Sequence, residues 1–378
     1  MSRLIIFDTS NFRDYPVGGQ LTSVKNFLRY IGENYPQDID KIFLIGVSTI
    51  TGDVGKIQPI WSEMGQVSFL AVTEANQDLN TVQKSLRVEY LKGLYKYRKL
   101  IGVKEEDCVY LHTPEAFAFT HLMAKKSPCF VFSHGSFLNM LDYVRFFRKS
   151  RFVLNVFKKI LLSVIKKSTG IFVLDHDTEL KYREYNKNIF HIRNSIICNP
   201  EYTNHNPDVN CPKLIFVGRL SAVKNIKPII EAAKKYEPCC HLEIVGAGEL
   251  MEELKLISNQ RITFSGGIAP REVKEHMQNA DILIMNSLHE GIPMTILEAM
   301  SMSLPIITTD VGGIGEVVQY GIDAEKTDGT PENIIKAIKK IMENYNEYSM
   351  NAYNHSTQFD YRKVNKKIFD QLNRYLEW

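Results

Sequence analysis

Short apolar runs alternate with helix-like segments along most of the 378-residue chain. In the first half the candidate strands are RLIIFD (3–8), KIFLIGV (41–47), VSFLAV (67–72), VYLHT (109–113), CFVFSHG (129–135) and IFVLD (171–175). The second half repeats the scheme with KLIFVGRL (213–220), HLEIVGAG (241–248), RITFSGG (261–267), DILIMNS (281–287) and LPIITTDVGG (304–313). Continuous apolar runs separated by helices are typical of strands buried on both faces of a parallel sheet. The pattern therefore predicts two doubly wound α/β domains that bind ligands at the carboxyl ends of their strands.

Two segments interrupt the alternation and predict the domain limits. Residues 199–211, NPEYTNHNPDVNC, are polar and turn-forming and have no periodicity, which indicates an interdomain linker. Residues 359–378 have the pattern of an amphipathic helix with aromatic side chains at both ends. We therefore predict an N-terminal domain over 1–198, a C-terminal domain over 199–356, and a crossover segment over 357–378 that returns to the first domain.

Composition excludes several classes of protein. A hydrophobic content of 44% and a charged content of 24% are ordinary for a globular protein, and the net charge of +3 is too small to indicate nucleic acid binding. The sequence has no apolar run of about 18 residues and begins directly in a strand, so we expect neither a membrane span nor a signal peptide. The six cysteines show no metal-ligand spacing, and adjacent Cys239 and Cys240 are not a usual disulfide pair. These features predict a reduced, cytoplasmic protein.

The stretch HEGIPMTILEAM (289–300) carries two glutamates, Glu290 and Glu298, eight residues apart. Because Pro293 suits the first turn of a helix, we expect a strand, a short loop with Glu290, and then a helix. The free N–H groups of residues 294–296 would favour an anion. Glu298 would lie ~9 Å along the helix axis, so the two carboxylates suit the two ends of a nucleoside diphosphate sugar. Two solvated surface glutamates are the alternative.

The segment FVGRLSAVKNI (216–226) places Arg219 and Lys224 in a loop directly after a strand. Arg219 offers a planar fork of donors and Lys224 a point charge, so together they can clamp two phosphates. They would also stabilise the charge that develops when a diphosphate leaves. Solvated surface bases are the alternative, which the glutamate pair downstream disfavours.

Glycine-rich loops follow several of the candidate strands. The strand-to-helix loop VGGQ (17–20) allows the backbone to approach a ligand closely. IVGAGEL (244–250) has the Gly-x-Gly of a dinucleotide site but lacks its third glycine. SGGIAPREVKEHM (265–277) is similar, and Ile268 could offer its backbone to a nucleobase. The last of these loops is VGGIGEVV (311–318).

Two histidines stand at predicted strand ends. His134 is followed by Gly135 and is a candidate contact for a sugar hydroxyl, although a structural role is equally compatible with its position. His112 is the weaker candidate.

A basic amphipathic stretch occupies residues 142–168, and no acidic residue lies between Asp142 and Asp175. Apolar residues at helical spacing alternate with its positive charges, a pattern typical of an element that binds anionic lipid surfaces. The alternative is a helix packed on the first domain with a solvated basic face. The positive charges are Arg145, Arg148, Lys149, Arg151, Lys158, Lys159, Lys166 and Lys167.

The second half resembles the retaining glycosyltransferases of family 4, which have the GT-B fold of two Rossmann-like domains facing across a cleft. The motifs that carry the resemblance are FVGRL…KN, IVGAGEL, FSGG and EGIPMTILEAM followed by LPIITTDVGGIGEVV, continuous over roughly 213–320. The first half is looser, with GGQ and SHG fitting in place and order. The chain departs from the family's G-D-G-P segment at Ala247 and Glu249, and Ile292 replaces a common Phe.

The resemblance implies specific roles for these residues. Arg219 and Lys224 would hold the donor pyrophosphate, and Glu298 would hold the ribose hydroxyls. Glu290 and His134 would contact the transferred sugar. Of these, the resemblance makes Glu290, Arg219, Lys224 and His134 the catalytic residues. The full donor site would comprise Gly19, Arg219, Lys224, Gly246, Ile268, Glu290, Gly291, Ile292, Pro293, Met294, Thr295, Ile296 and Glu298.

The resemblance also implies a metal-independent, retaining transfer of a hexose-type sugar, with no cofactor. The expected donor is a nucleotide sugar, UDP-linked by preference, and the expected acceptor is a glycan or a lipid-linked glycan in surface polysaccharide biosynthesis. The protein would be cytoplasmic, with the basic stretch allowing peripheral contact at the inner membrane face. A nucleotide-sugar epimerase of GT-B fold and a non-catalytic sugar-binding protein are the alternatives. The sequence does not indicate an oligomeric state.

Overall fold

The computed structural model describes residues 2–13, 19–62, 65–75, 86–135, 151–376 and 378. The chain divides into two compact units. Unit 1 comprises Met1–Ser195 together with Tyr361–Trp378, and unit 2 comprises Ile196–Asp360. The predicted limits of the domains fell at 198/199 and 356/357, within a few residues of these divisions.

Unit 1 is built on an eight-stranded sheet with the order β3-β4-β2-β1-β5-β6-β7-β8. Every neighbouring pair is parallel except β3 and β4, which pair antiparallel at the sheet edge. Of these two strands the sequence predicted β4 but not β3. The strands are β1 (Leu4–Phe7), β2 (Ile42–Ser48), β3 (Ile57–Ser62), β4 (Gly65–Glu74), β5 (Cys108–Leu111), β6 (Cys129–Ser133), β7 (Gly170–Val173) and β8 (Ile189–His191).

Helices connect these strands. The described helices of unit 1 are α1 (Gly19–Asn34), α2 (Leu86–Lys96), α3 (Arg98–Ile101), α4 (Ala116–Met123), α5 (Arg151–Lys167), α6 (His176–Arg183) and, from the C-terminal segment, the helix Tyr361–Leu372. That terminal helix packs on α1, as predicted. Its Tyr361 hydroxyl donates to the Glu33 carboxylate at 2.6 Å, and the rings of Tyr35 and Phe369 lie 4.4 Å apart.

Unit 2 is built on a six-stranded, fully parallel sheet with the order β11-β10-β9-β12-β13-β14. The strands are β9 (Lys213–Val217), β10 (His241–Val245), β11 (Ile262–Gly266), β12 (Ile282–Met285), β13 (Ile306–Thr309) and β14 (Ala324–Thr327). Its described helices are α7 (Lys227–Lys235), α8 (Met251–Leu256), α9 (Pro270–Gln278), α10 (Met294–Ser301), α11 (Pro331–Glu343) and α12 (Tyr345–Ser356), and the terminal helix of unit 1 is numbered α13.

Burial on both faces explains the continuous apolar runs of these strands. In unit 2, Leu214, Phe216 and Ile284 belong to one buried cluster, whereas Ile215 and Leu283 belong to a second. Successive side chains of a strand point to opposite faces, so each face of the sheet has its own core. None of the helices in the described ranges combines the length and apolarity that a bilayer crossing requires.

The predicted linker, residues 199–211, has no helix or strand, yet it packs on unit 2. The Thr203 N–H donates to Ser303 Oγ at 3.0 Å, and His205 Nε2 donates to the Met302 carbonyl at 2.8 Å.

One prediction about the cysteines is wrong. Cys211 and Cys239, 28 residues apart, form a disulfide, whereas we predicted reduced cysteines. Because β9 and β10 pair in parallel from Lys213 and His241, the residues two positions before each strand lie side by side. Cys108, Cys129, Cys198 and Cys240 are not part of a disulfide.

Candidate active site

The strand order of unit 2 defines a topological switch point. The chain runs from β9 to β10 and β11 on one side, and then to β12 on the other side of β9. The loops after β9 and β12 therefore diverge at the carboxyl edge of the sheet, which is where open α/β sheets bind ligands. Arg219 and Lys224 lie on the first of these loops, and Glu290 lies on the second.

An ion pair joins the two loops. Lys224 Nζ donates to Glu290 Oε1, and Ser287 Oγ donates to the same oxygen at 2.6 Å. Only 19% of the Lys224 side chain and 12% of the Glu290 side chain are exposed. The fold thus brings together a predicted cation and a predicted carboxylate, and it adds a hydroxyl that the sequence did not single out.

Backbone contacts fix the positions of both loops. Leu288 N–H donates to the Val223 carbonyl at 2.8 Å. The buried Asn286 amide donates from Nδ2 to the carbonyls of Asn225 and Gly329, both at 3.2 Å. Asn286 thus couples the end of β12 to the residue that follows Lys224. Its position directly after an apolar strand, in DILIMNS, is the only sequence signal for this role.

The VGG segment at 311–313 supports the loop that carries Glu290. Gly312 has a φ of +59°, and a Cβ at this position would collide with the Glu290 carbonyl oxygen. Gly313 N–H donates to the Gly291 carbonyl at 3.0 Å. The backbone of these glycines therefore packs against the backbone of the loop that carries Glu290 and helps to hold that loop in place.

The helix after Glu290 differs slightly from the prediction. It begins at Met294 with Pro293 as N-cap, one position later than expected. The Ile296 N–H bonds the Pro293 carbonyl at 3.2 Å, so the prediction that it stays free for a ligand is wrong. Glu298 lies on the part-buried side of α10, where desolvation raises the pKa of its carboxyl and the charge of Lys274 opposes that shift.

Arg219 extends towards solvent with 76% of its side chain exposed. Its Nε lies 3.8 Å from Glu249 Oε2, an exposed pair of the kind that contributes little to stability. The Arg219 side chain can therefore leave Glu249 and bind a ligand at little energetic cost.

The glycines after β10 have a packing role in unit 2. Gly246 has a φ of +145°, and a Cβ here would collide with the Gly218 carbonyl. A Cβ at Gly248 would meet the Leu220 backbone. The loop after β10 thus lies directly on the loop that carries Arg219. Ile268, after β11, packs part-buried against the core, and its contact with a donor base stays a prediction, as does that of Gly246.

At the carboxyl edge of the unit 1 sheet, the two candidate histidines contact each other. His112 Nδ1 lies 2.9 Å from His134 Nε2, and the His112 ring stacks on Phe132 at a centroid distance of 5.1 Å. Desolvation lowers the pKa of His134 to about 4. The pKa of His112 is also lowered, by desolvation and by the neighbouring His134. Both imidazoles are therefore neutral at pH 7.

A carboxyl group that the sequence did not reveal lies at the same edge. Asp8, directly after β1, is fully buried and accepts from Gln20 Nε2 at 2.6 Å and from the Ser10 N–H at 3.2 Å. Its second oxygen, Oδ2, is buried with no hydrogen-bond partner among the described residues. Desolvation raises the pKa of Asp8 to about 7, although the hydrogen bonds from Ser10 and Gln20 oppose this effect.

Several predicted residues of unit 1 are described in part or not at all. Gly19 is the first residue of α1, whereas Val17 and Gly18 lie outside the described residues. Of the basic stretch, Arg145, Arg148 and Lys149 lie outside them too, and so does the Arg151 side chain. Lys158, Lys159, Lys166 and Lys167 are exposed on α5.

Comparison with known families identifies the class of unit 2. Residues 202–358 match the family model described as Glycosyl transferases group 1. The match covers most of unit 2, including Lys224, Glu290 and Glu298, and less than half of the whole chain. Unit 2 therefore carries a domain of the group 1 glycosyl transferase type.

Solved structures with the same fold cover the whole chain. Alr3699/HepE from Anabaena, solved in complex with UDP, matches 98% of this chain and 100% of its own with a TM-score of 0.68 at 16% identity. A structure of HepE in complex with UDP-glucose gives a TM-score of 0.67 at 17% identity. At such identities the likeness shows the fold alone. That fold is GT-B, as the sequence predicted.

Curated relatives match over a shorter span. The O-antigen biosynthesis glycosyltransferase WbnH of Escherichia coli is 32% identical over 152 residues, which are 39% of this chain and 42% of WbnH. The amylovoran biosynthesis glycosyltransferase AmsK of Erwinia amylovora is 28% identical over 144 residues, which are 34% of this chain and 35% of AmsK. The chain thus spans less than half the length of these curated relatives.

Proposed function

We propose that this chain is a retaining hexosyltransferase of family 4 that moves a sugar from a UDP-sugar to a glycan or lipid-linked glycan in surface polysaccharide biosynthesis. The group 1 match across the residues of the switch point supports the transferase activity. The names of WbnH and AmsK favour polysaccharide assembly, and the UDP-glucose complex of HepE favours a UDP-linked donor.

The observation that carries the proposal is the Lys224–Glu290 ion pair on the two loops of the switch point. Both side chains are largely buried in the folded protein, so binding a ligand removes little further water from them. A sugar diphosphate offers each a new partner: phosphate oxygens for Lys224 and sugar hydroxyls for Glu290. Ser287 stays hydrogen-bonded to the carboxylate and keeps its orientation.

The chemistry requires little from the protein beyond charge stabilisation. The bond between the sugar C1 and the β-phosphate oxygen breaks, and the acceptor oxygen bonds to C1 on the face that the phosphate leaves. The acceptor proton passes to the departing phosphate oxygen, so no side chain acts as nucleophile. Lys224, joined by Arg219 when it turns from Glu249, neutralises the negative charge that grows on the diphosphate. In this proposal cationic side chains take the place of a metal ion.

Release of UDP from a panel of UDP-glucose, UDP-galactose and UDP-GlcNAc, with lipid-linked and free glycan acceptors, tests the proposal. We expect acceptor-dependent UDP release and a product with the anomeric configuration of the donor. Interconversion of the UDP-sugars without release of UDP would indicate an epimerase instead. Binding of the donors without either reaction would indicate a sugar-binding protein.

We also propose that α5 brings the protein to the cytoplasmic face of an anionic membrane. Lys158, Lys159, Lys166 and Lys167 are exposed on α5, whereas Leu161, Val164 and Ile165 of the same helix are buried. Basic residues near an anionic surface each contribute ~1 kcal/mol to binding, so four of them give a measurable effect.

Vesicle sedimentation tests this part of the proposal. The four-fold variant Lys158→Gln, Lys159→Gln, Lys166→Gln and Lys167→Gln should bind phosphatidylserine-containing vesicles at least tenfold more weakly than the wild type. The matched control removes the same charge from exposed lysines of unit 2, in Lys234→Gln, Lys235→Gln, Lys336→Gln and Lys339→Gln. An equal loss of vesicle binding in both variants would mean that the net charge of the protein, and not the position of the lysines on α5, determines binding.

A further inference from the structure

A second polar cluster lies at the carboxyl edge of the unit 1 sheet, beside β7 and β8. His176 Nδ1 lies 3.1 Å from Glu179 Oε2, and His191 Nδ1 lies 3.6 Å from the same oxygen. All three ligand atoms lie within 4.8 Å of one another. The topology explains the meeting: β7 and β8 pair with Val173 opposite His191, and α6 begins three residues after β7 ends.

The hydrogen bonds of His191 fix its tautomer. Its Nε2 lies 3.1 Å from the Leu174 carbonyl oxygen, which only accepts, so Nε2 carries a proton. In the neutral imidazole, Nδ1 then has a lone pair directed at the Glu179 carboxylate. A cation between these two electron-rich atoms, either a proton on Nδ1 or a metal ion, would attract both of them. A ring N–H held by a backbone carbonyl is the usual outer-shell arrangement of metal-binding histidines.

The Glu179 carboxylate is held in the same manner. Arg183 donates to Oε1 from Nη2 at 2.7 Å and from Nε at 3.0 Å. Oε2 is thereby left to face both histidines.

We propose that His176, Glu179 and His191 form a binding site for a divalent transition metal ion of the Zn²⁺ class. Ligand bonds of ~2.1 Å place neighbouring ligand atoms ~3.0–3.4 Å apart. The two separations from Glu179, 3.1 and 3.6 Å, lie close to that range, and the two imidazole nitrogens lie within 4.8 Å of each other. Two imidazoles select such ions over Mg²⁺ and Ca²⁺, which prefer all-oxygen ligands. Water would fill the remaining positions. The ion would join the start of α6 to the end of β8.

The opposing interpretation is a doubly protonated His191 that pairs with Glu179. The guanidinium of Arg183 favours that alternative, because its charge repels a metal ion. The two interpretations differ in a measurable way, since only the first predicts a stoichiometric metal complex.

The test is titration of the whole protein with Co²⁺ and Zn²⁺, followed by visible absorption and thermal unfolding. Reductant is omitted, so that the Cys211–Cys239 disulfide beside His241 offers no thiolates to the metal. We expect one equivalent of Co²⁺ to give a visible d–d spectrum and one equivalent of Zn²⁺ to raise Tm, whereas Mg²⁺ changes neither.

The variant His176→Gln gives the sharpest comparison. The His176 side chain is 63% exposed, and the variant leaves the Arg183–Glu179 pair in place, so folding should be unaffected. We expect its metal affinity, and that of His191→Gln, to fall at least tenfold. The control His121→Gln removes a half-exposed histidine of α4 and should bind like the wild type. Wild-type affinity in His176→Gln and His191→Gln, or no bound metal in the wild type, would overturn the proposal.

Discussion

The carboxyl edges of the two sheets are both formed by loops that follow parallel strands, but the candidate residues on these loops differ in charge. In unit 2 the edge carries an ion pair, Lys224 with Glu290, and an exposed Arg219. In unit 1 the edge carries Asp8, His112 and His134. Burial raises the pKa of Asp8 and lowers the pKa of both histidines, so it favours the neutral form of each group. At pH 7 His112 and His134 of unit 1 are thus neutral and Asp8 is partly ionised, whereas Lys224 and Glu290 of unit 2 form an ion pair.

The difference follows from the partners that each unit supplies. Lys224 has a carboxylate within reach, and a charge that is paired and hydrogen-bonded can stay charged when it is withdrawn from water. Asp8 has an amide and a backbone N–H as partners, and His134 has a second imidazole. Neutral groups suit the hydroxyls of a sugar or an acceptor, whereas the charged edge suits a diphosphate.

The largest expected effect comes from removing charge at the unit 2 edge. Lys224→Ala or Arg219→Ala should lower the turnover of UDP-sugar by ~10²–10³, because each removes a cation that the proposed function assigns to the departing diphosphate. Lys227→Ala, which removes an exposed lysine paired with Glu253, is the control and should keep wild-type turnover. Wild-type rates in both of the first two variants would refute the phosphate role.

The next effect concerns stability and tests the uncharged edge. Folding raises the pKa of Asp8 from 3.8 to about 7, so the unfolded chain loses this proton near pH 4 and the folded protein near pH 7. Stability therefore falls as pH rises between these values, and the loss persists above pH 7. Asp8→Asn should raise the free energy of unfolding by ~1–3 kcal/mol at pH 8 and by much less at pH 4.

Denaturant titrations at the two pH values measure this difference, with Asp40→Asn, an exposed carboxylate of the same unit, as control. An equal gain for Asp8→Asn at both pH values would mean that ionisation of Asp8 costs the folded protein nothing.

The smallest effect concerns His134. Because desolvation lowers its pKa to about 4, the imidazole is neutral from pH 5 upwards and can contribute one ordinary hydrogen bond to the sugar. His134→Gln should lower kcat/KM about tenfold, the worth of a bond of ~1–1.5 kcal/mol, by the same factor at pH 5.5 and pH 8. A wild-type limb near pH 6.5 that the variant lacks would show that the imidazolium takes part.

The sequence predicted the sheets well because their strands are buried on both faces and so read as unbroken apolar runs. It missed β3, whose sequence IQPIWS contains Pro59 and whose residues 57–60 alternate between exposed and half-buried positions at the sheet edge. It also missed the Cys211–Cys239 disulfide, since only the parallel pairing of β9 with β10 brings these residues together.

The candidate site was predicted only in part, because local sequence reveals some of its residues and not others. Glu290 and Lys224 stand in motifs of distinctive local sequence. Asn286 and Asp8 are single polar residues after apolar strands, and their importance depends on partners distant in the chain. A search for the first polar residue after the apolar run of each predicted strand would have found both.

Calorimetric titration with UDP and with uridine tests most directly whether the charged edge of unit 2 holds a nucleoside diphosphate. We expect UDP to bind at least 100-fold more tightly than uridine to the wild type, a difference of ~2.7 kcal/mol that the diphosphate contacts supply. In Lys224→Ala most of that difference should disappear while the weak binding of uridine remains. Equal affinities of the wild type for UDP and uridine would contradict the proposed role of this edge.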